Sequence, residues 1–254
     1  MSFHAERRHN VTIGITRNGA VLTVELQRPE RRNALNTALC TEVREAVESA
    51  EADGTRVVVI TGEGTSFCAG ADLSGEAIAD EFPEALLSMN RALQTVSVPV
   101  IAAVNGPAVG AGTQLAIAAD LRVVDSGAFF AIPSTKLAIA VDNWTVKRLV
   151  SLAGGGPART VLLGAEQLSA EQALACGLAN KLGGLDVAHA WAEEIAQLAP
   201  LSLRHLKLVF NDDGTRDEAN ATQLDAFAAA WASNDAVEAR IARKEKRPPV
   251  FQGQ

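Results

Sequence analysis

Backbone donors, rather than a cluster of reactive side chains, are the first chemistry this sequence offers. In Val100–Asp120, VIAAVNGPAVGAGTQLAIAAD, an apolar run meets Asn105-Gly106-Pro107, and Gly110-Ala111-Gly112 then opens a small-residue helix expected to run through Ala119. The first N–H groups of a helix have no internal partner, and small residues let a ligand oxygen approach them closely. Such a turn suits an oxyanion, an enolate or a phosphate. The glycines fit neither G-x-G-x-x-G nor a phosphate loop, which would need a Lys-Ser/Thr pair after it. A tight strand-to-helix turn without a ligand is the plain alternative.

Charged and hydroxyl side chains add less. Arg28, Arg31 and Arg32 crowd the turn RPERRNALN, where they could clamp phosphate or simply face solvent. Ser134 lacks a histidine to activate it, because His4, His9, His189 and His205 lie outside these stretches. Asp142 stands where it can cap the helix carrying Trp144, Arg148 and Leu149. Asp72 and Asp120 read as structural caps.

The elements that must hold these groups follow from patterning. Val11–Arg17 and Ala20–Leu26 alternate around Asn18-Gly19, a hairpin signal. Asn36 can cap a helix over Thr37–Asp53, with Leu39, Val43, Ala46 and Val47 on one face. Val57–Thr61 is a buried strand that feeds the loop Gly62–Leu73, at the strand end where open α/β sheets place ligands. A polar segment, Ser74–Pro83, precedes a helix over Glu84–Val96, whose Leu86, Met89 and Leu93 border a ligand tunnel or fill the core. Val100–Val104 and Leu121–Asp125 are further strands. Ser169 with Gln172 forms a capping box, and Ala179–Leu182 is a last short strand. From Asp186 onward the pattern is helical only, over Val187–Leu198, Leu201–Phe210, Asp217–Trp231 and Asp235–Lys244.

Composition narrows the class. The 254 residues are 48% hydrophobic and 21% charged, which fits a globular domain with a full core. The net charge of −7 argues against a general nucleic-acid or anionic-membrane surface. Cys40, Cys68 and Cys176 are an odd number at no metal spacing, which implies free thiols and a reducing compartment. No apolar run is long enough to span a membrane, and MSFHAERRHN lacks a signal core, so a cytoplasmic location is expected.

Separated stretches then converge on one pattern. Arg28-Pro29 with Asn33-Ala34-Leu35-Asn36, Phe67-Cys68-Ala69-Gly70-Ala71-Asp72-Leu73, Pro99–Gly106 with Asp120, Gly177-Leu178-Ala179 and Lys246-Arg247-Pro248 occur in order along nearly the whole chain. Together they resemble the enoyl-CoA hydratase/isomerase, or crotonase, superfamily. The resemblance implies an α/β fold: a spiral of ββα units over residues 11–185, after a flexible N-terminus at 1–10. A C-terminal helical trimerisation region and basic tail would follow over 186–254. It implies a homotrimer, or a hexamer made of two trimers, with an acyl-CoA thioester as ligand and no separate cofactor or metal. Ala71 and Ala111 match the two residues whose N–H groups grip the thioester carbonyl. Arg28, Arg31, Arg32, Ala34 and Ala69 fall where coenzyme A binds, and Lys246 falls where a neighbouring chain reaches the same phosphates.

Gln114 and Ser134 occupy the positions of the two glutamates with which the family's hydratases activate and protonate. An amide and a hydroxyl do not exchange protons as those acids do, and a positioned acid or base contributes on the order of 10²–10⁴-fold. The resemblance thus implies an acyl-CoA-binding protein of lipid metabolism with weak or absent hydratase activity, handing its ligand to a lipid-synthesis partner. The alternative is an active hydratase or enoyl/dienoyl-CoA isomerase that uses Asp142, or a water organised by Gln114 and Ser134.

Overall fold

The computed structural model describes residues 12–50, 52–73, 81–212 and 221–252. The expected flexible N-terminus, most of Ser74–Pro83 and the first residues of the helix expected from Asp217 lie outside them.

Strands β1 (Ile13–Asn18) and β2 (Val21–Leu26) form the expected antiparallel hairpin, but one residue later than the Asn-Gly signal suggests. Asn18 pairs with Val21, so the turn is Gly19-Ala20. Gly19 has φ +56° and Ala20 lies outside the left-handed region, which is the arrangement with glycine at the first central position. Helix α1 (Thr37–Ser49) begins where expected, with Asn36 Oδ1 accepting from Leu39 N at 2.9 Å.

β2 continues into a parallel sheet with β3 (Val57–Gly62), β4 (Val100–Val104), β6 (Leu121–Val124) and the two-residue β9 (Lys181–Leu182). Every residue of β3 and β4 is buried. Their side chains divide with the two-residue period of a strand. Val58, Ile60, Ala102 and Val104 join the larger core. That core also takes the apolar faces of α1, α2 (Phe82–Thr95) and α3 (Ala111–Ala118). Val57, Val59, Ile101 and Ala103 meet Ala188, Ala192 and Ile195 of α7 (Leu185–Ala196) on the other face. α7 therefore covers the sheet, and its own residues decide where the core ends. α7 starts within one residue of the expected boundary at 186 and packs back onto the strands before it. His189 of α7 bonds Thr23 Oγ1 at 3.0 Å there, remote from α3.

A second, small sheet carries the turn before α3. It consists of β5 (Ala108–Val109), β7 (Phe129–Ala131) and β8 (Leu168–Ser169). α4 (Asn143–Ala153), α5 (Gly155–Leu162) and α6 (Ala170–Ala175) surround it, and α6 starts with the expected Ser169–Gln172 capping box. Helices α8 (Pro200–Phe210), α9 (Ala221–Ala232) and α10 (Asn234–Glu245) complete the C-terminal region.

α8 is tied to the core by one buried cation. Lys207 Nζ donates to Leu93 O at 2.8 Å and Val98 O at 2.9 Å, and lies 2.7 Å from Asp120 Oδ2. Asp120 also accepts from Val100 N at 2.8 Å, so it is structural, as expected. Among the described residues no helix is long and apolar enough to cross a membrane.

Candidate active site

Two loops meet at the start of α3. Val109 N donates to Cys68 O at 2.9 Å and Cys68 N to Pro107 O at 3.1 Å, which zips the loop after β3 to the turn before α3. Gly70 and Gly112 make this approach possible. A Cβ on Gly112 would lie 2.2 Å from Cys68 O. One on Gly70 would lie 2.8 Å from Val109 O and 3.8 Å from Ala111 N, and Gly70 has φ +103°. Larger residues at either point would force the two strands of chain apart.

This junction exposes two backbone donors. Leu35 N donates to Gly70 O at 2.7 Å, and Asp72 N donates to Leu35 O at 2.8 Å. The pairing thus uses the residues flanking Ala71, and the N–H of Ala71 points to the other side. Ala111 is the first residue of α3, and the first bond across the helix start is Gln114 N to Gly110 O at 3.0 Å. The Ala111 N–H lies ahead of that ladder and so remains a donor. Gly110 N, by contrast, is spent on Ala131 O at 2.7 Å. The two N–H groups singled out in the sequence are thus brought to one junction, at the positive end of a fully buried helix.

The arginine turn divides into two kinds of residue. Arg28 faces inward, with Nη1 donating to Ala34 O at 2.5 Å and Nη2 pairing with Asp72 Oδ2 at 2.8 Å. Its guanidinium and the Ala34 carbonyl hold the Ala71 loop. Arg31 and Arg32 are exposed on the same turn, and Ala69 N donates to Arg32 O at 2.9 Å. Asn33, quoted in the motif without a role, is fully buried. Its Nδ2 donates to Glu63 O at 2.9 Å and Ser66 O at 2.8 Å, so it braces the same loop from below. Its backbone is left-handed at φ +57°, a conformation asparagine tolerates. Lys246 ends α10 in left-handed backbone and is exposed.

Gln114, Asp142 and Thr145 form a closed polar triangle one turn along α3. Gln114 Nε2 donates to Asp142 Oδ2 at 3.0 Å and to Thr145 Oγ1 at 2.6 Å. Thr145 Oγ1 donates to Asp142 Oδ2 at 2.6 Å, and Thr145 N to Asp142 Oδ1 at 2.9 Å. Asp142 is therefore the N-cap of α4, the plain role the sequence allowed, and it also grips Gln114. A carboxylate only accepts, so the amide nitrogen of Gln114 must face it. Thr145 was missed; its signal was the Asp-x-x-Thr spacing of a cap.

Ser134 is 8% exposed and follows β7 by three residues, where Ala131 O accepts from Gly110 N and from Thr113 Oγ1 at 3.0 Å. Its Oγ has no hydrogen-bond partner among the described residues, and the histidine bonded to Thr23 is elsewhere. Burial pushes the Cys68 thiol up to about 12, and burial with Cys68 nearby does the same for Cys40. Both are inert core thiols rather than nucleophiles.

Taken together, the N–H groups of Ala71 and Ala111 stand at one junction, and the Gln114 amide lies one helical turn further along α3. Comparison with known proteins points to one family. A family model described as enoyl-CoA hydratase/isomerase matches residues 16–254. The chain is 54% identical over 241 residues to the probable enoyl-CoA hydratase echA6 of Mycobacterium tuberculosis (strain CDC 1551 / Oshkosh), covering 95% of this chain and 99% of the relative. It is 32% identical over 258 residues to the carnitinyl-CoA dehydratase of Escherichia coli (strain K12), covering 95% and 98%. A crystal structure of an enoyl-CoA hydratase from Mycobacterium avium subsp. paratuberculosis K-10 superposes with a TM-score of 0.83 at 27% identity, over 95% of this chain and 99% of that one. The chain belongs to the enoyl-CoA hydratase/isomerase family.

Proposed function

We propose that the protein binds an acyl-CoA thioester, with the carbonyl oxygen between the Ala71 and Ala111 N–H groups, and that it hydrates enoyl-CoA weakly or not at all. The observation that carries this reading is the triangle behind Gln114. The amide uses its N–H groups within the protein and offers no proton to transfer. Asp142 is occupied as a helix cap by Thr145 N and Oγ1. Coenzyme A itself is the ligand's handle. Arg31 and Arg32 suit its phosphates, Ala34 and Ala69 line the same turn, and Arg28 braces that turn from inside. Lys246 would act from a neighbouring subunit.

A homotrimer, or a hexamer of two trimers, is part of this proposal. Leu201, Leu208, Val209 and Phe210 of α8 and Leu224 and Trp231 of α9 are exposed, and a subunit contact would cover such apolar side chains. A cytoplasmic role in lipid metabolism, with a lipid-synthesis enzyme receiving the ligand, completes the reading. The second reading, an active hydratase or isomerase, is favoured only by the nearness of Asp142 to Gln114.

The test compares decanoyl-CoA with its thioether analogue, which lacks the carbonyl oxygen, in calorimetric titrations of the wild type and Ala111→Pro. Proline is well tolerated at the first position of a helix and removes only the N–H. The wild type should prefer the thioester about tenfold, the worth of one to two hydrogen bonds, and the variant should lose that preference. An equal preference in both proteins would refute the carbonyl placement.

A further inference from the structure

The far end of α3 is seated on buried cations. Arg122, in β6, is 1% exposed. Its Nη1 donates to Ala119 O at 2.8 Å and Ala116 O at 3.4 Å, its Nη2 to Asp120 O at 3.2 Å and its Nε to Leu178 O at 2.6 Å. Arg148 reaches the same end, with Nε donating to Ile117 O at 3.1 Å. The last carbonyls of a helix lack an intrahelical partner. α3 is buried along its whole length, and guanidinium groups stand where solvent would serve an exposed helix.

Arg122 keeps its charge there. Burial, and after it the neighbouring Arg148 charge, push it down to about 10, still well above neutral pH. Among the described residues every hydrogen bond it donates goes to a carbonyl oxygen. The Asp120 carboxylate is held by Lys207 Nζ at 2.7 Å. A buried charge ordinarily pairs with an opposite one, and a neutral donor could satisfy the same carbonyls, so the charge itself calls for a reason.

The helix supplies one. Aligned peptides place about half a positive charge at the start of a helix and about half a negative charge at its end. The eight residues of α3 span about 12 Å, so its negative end weakens the pull that an anion feels at the Ala111 N–H. A full cation on the last carbonyls more than cancels that half charge. At about 12 Å and an effective dielectric of about 20, one unit charge changes the affinity for an anion about tenfold.

We propose that Arg122 is a specificity-determining residue that acts through α3. It masks the negative end of the helix, so that the junction of Ala71 and Ala111 favours a CoA ligand whose bound oxygen is anionic over one whose bound oxygen is neutral. The inference rests on the acyl-CoA reading given above, and the selection is one of binding.

The experiment titrates the full-length protein at neutral pH with two thioethers of CoA, made from 2-bromodecanoic acid and from 2-bromodecanamide. They carry a carboxylate and a primary amide on the same carbon and differ by one charge. Decanoyl-CoA is titrated beside them. The wild type should bind the carboxylate more tightly than the amide. Arg122→Gln keeps amide donors and removes the charge, so the carboxylate-to-amide ratio should fall about tenfold, whereas Arg122→Lys should hold it near the wild-type value. Asp120→Asn keeps an acceptor for Val100 N and removes a negative charge from the same end of α3, so the ratio should rise about fivefold. Damage to packing would weaken both thioethers together; only charge moves the ratio down in one variant and up in the other. If Arg122→Gln does not fold, Asp120→Asn decides alone. A ratio that stays put or falls in Asp120→Asn, or stays put in Arg122→Gln, while decanoyl-CoA still binds, would overturn the proposal and leave the acyl-CoA reading standing. Binding of none of the three ligands by the wild type would remove that reading and the proposal with it.

Discussion

Placing a glutamate at position 114 should destabilise this protein, and the structure says by how much. In Gln114→Glu a carboxylate oxygen replaces Nε2 at 3.0 Å from Asp142 Oδ2. Two unit charges at that distance repel by about 5 kcal/mol at an effective dielectric of about 20. Holding one proton on the pair is the cheaper course. Keeping a glutamate protonated at pH 7 against an ordinary value of about 4.3 costs about 3.7 kcal/mol. The pair should therefore share a proton and titrate as a unit, and the variant should lose about 2–4 kcal/mol of stability at pH 7. The sign follows from linkage: the shared group's folded value lies above its unfolded one. The deficit is absent below about pH 4.3 and grows as pH rises, by up to about 1.4 kcal/mol per unit, until the folded value is passed. Urea unfolding of wild type and variant at a series of pH values between 4.5 and 8 (about one unit apart) reads this directly. Adding Asp142→Asn should remove most of the deficit. A pH-independent deficit, or one unchanged by Asp142→Asn, would refute the triangle.

Further outcomes follow from the same geometry. Gly70→Ala places a methyl 2.8 Å from Val109 O at φ +103° and should cost about 2–4 kcal/mol in urea unfolding, with loss of acyl-CoA binding in titration. Arg28→Met breaks a largely buried pair with Asp72 and should lower stability by about 2 kcal/mol, whereas Arg31→Ala with Arg32→Ala should weaken CoA binding in a salt-dependent way and leave the unfolding midpoint in place. The thiols of Cys40 and Cys68 stay protonated in the fold to about pH 12 but ionise in the unfolded chain from about 8.5, so stability should fall across that window. The fall should be shallower in Cys40→Ala, measured by thermal unfolding.

Local physics made much of the fold legible. The Asn36 cap, the all-apolar β3 and β4, the Ser169–Gln172 box and the small-residue start of α3 each depend on neighbours within a few positions. What stayed hidden depends on distant partners. Asp142 and Gln114 are 28 residues apart, and nothing in either stretch says that an amide and a cap share a hydrogen bond. Arg28 reads like its neighbours Arg31 and Arg32 until Asp72, 44 residues on, turns it inward. The hairpin slipped by one residue because cross-strand register from Ile13↔Leu26 onward outweighs the preference of a single dipeptide. α7 looks like the first of four similar helices, and only the second set of β3 and β4 side chains shows that it belongs to the core.

The most direct test of the central claim follows the 2-enoyl thioester absorbance of trans-2-decenoyl-CoA with the purified protein, beside a calorimetric titration of the same thioester. The account predicts saturable binding with turnover at least 10²-fold below that of a family hydratase carrying both glutamates. Rapid hydration comparable to such an enzyme would contradict it, and loss of that activity in Asp142→Asn would make the capped aspartate the acid–base group after all.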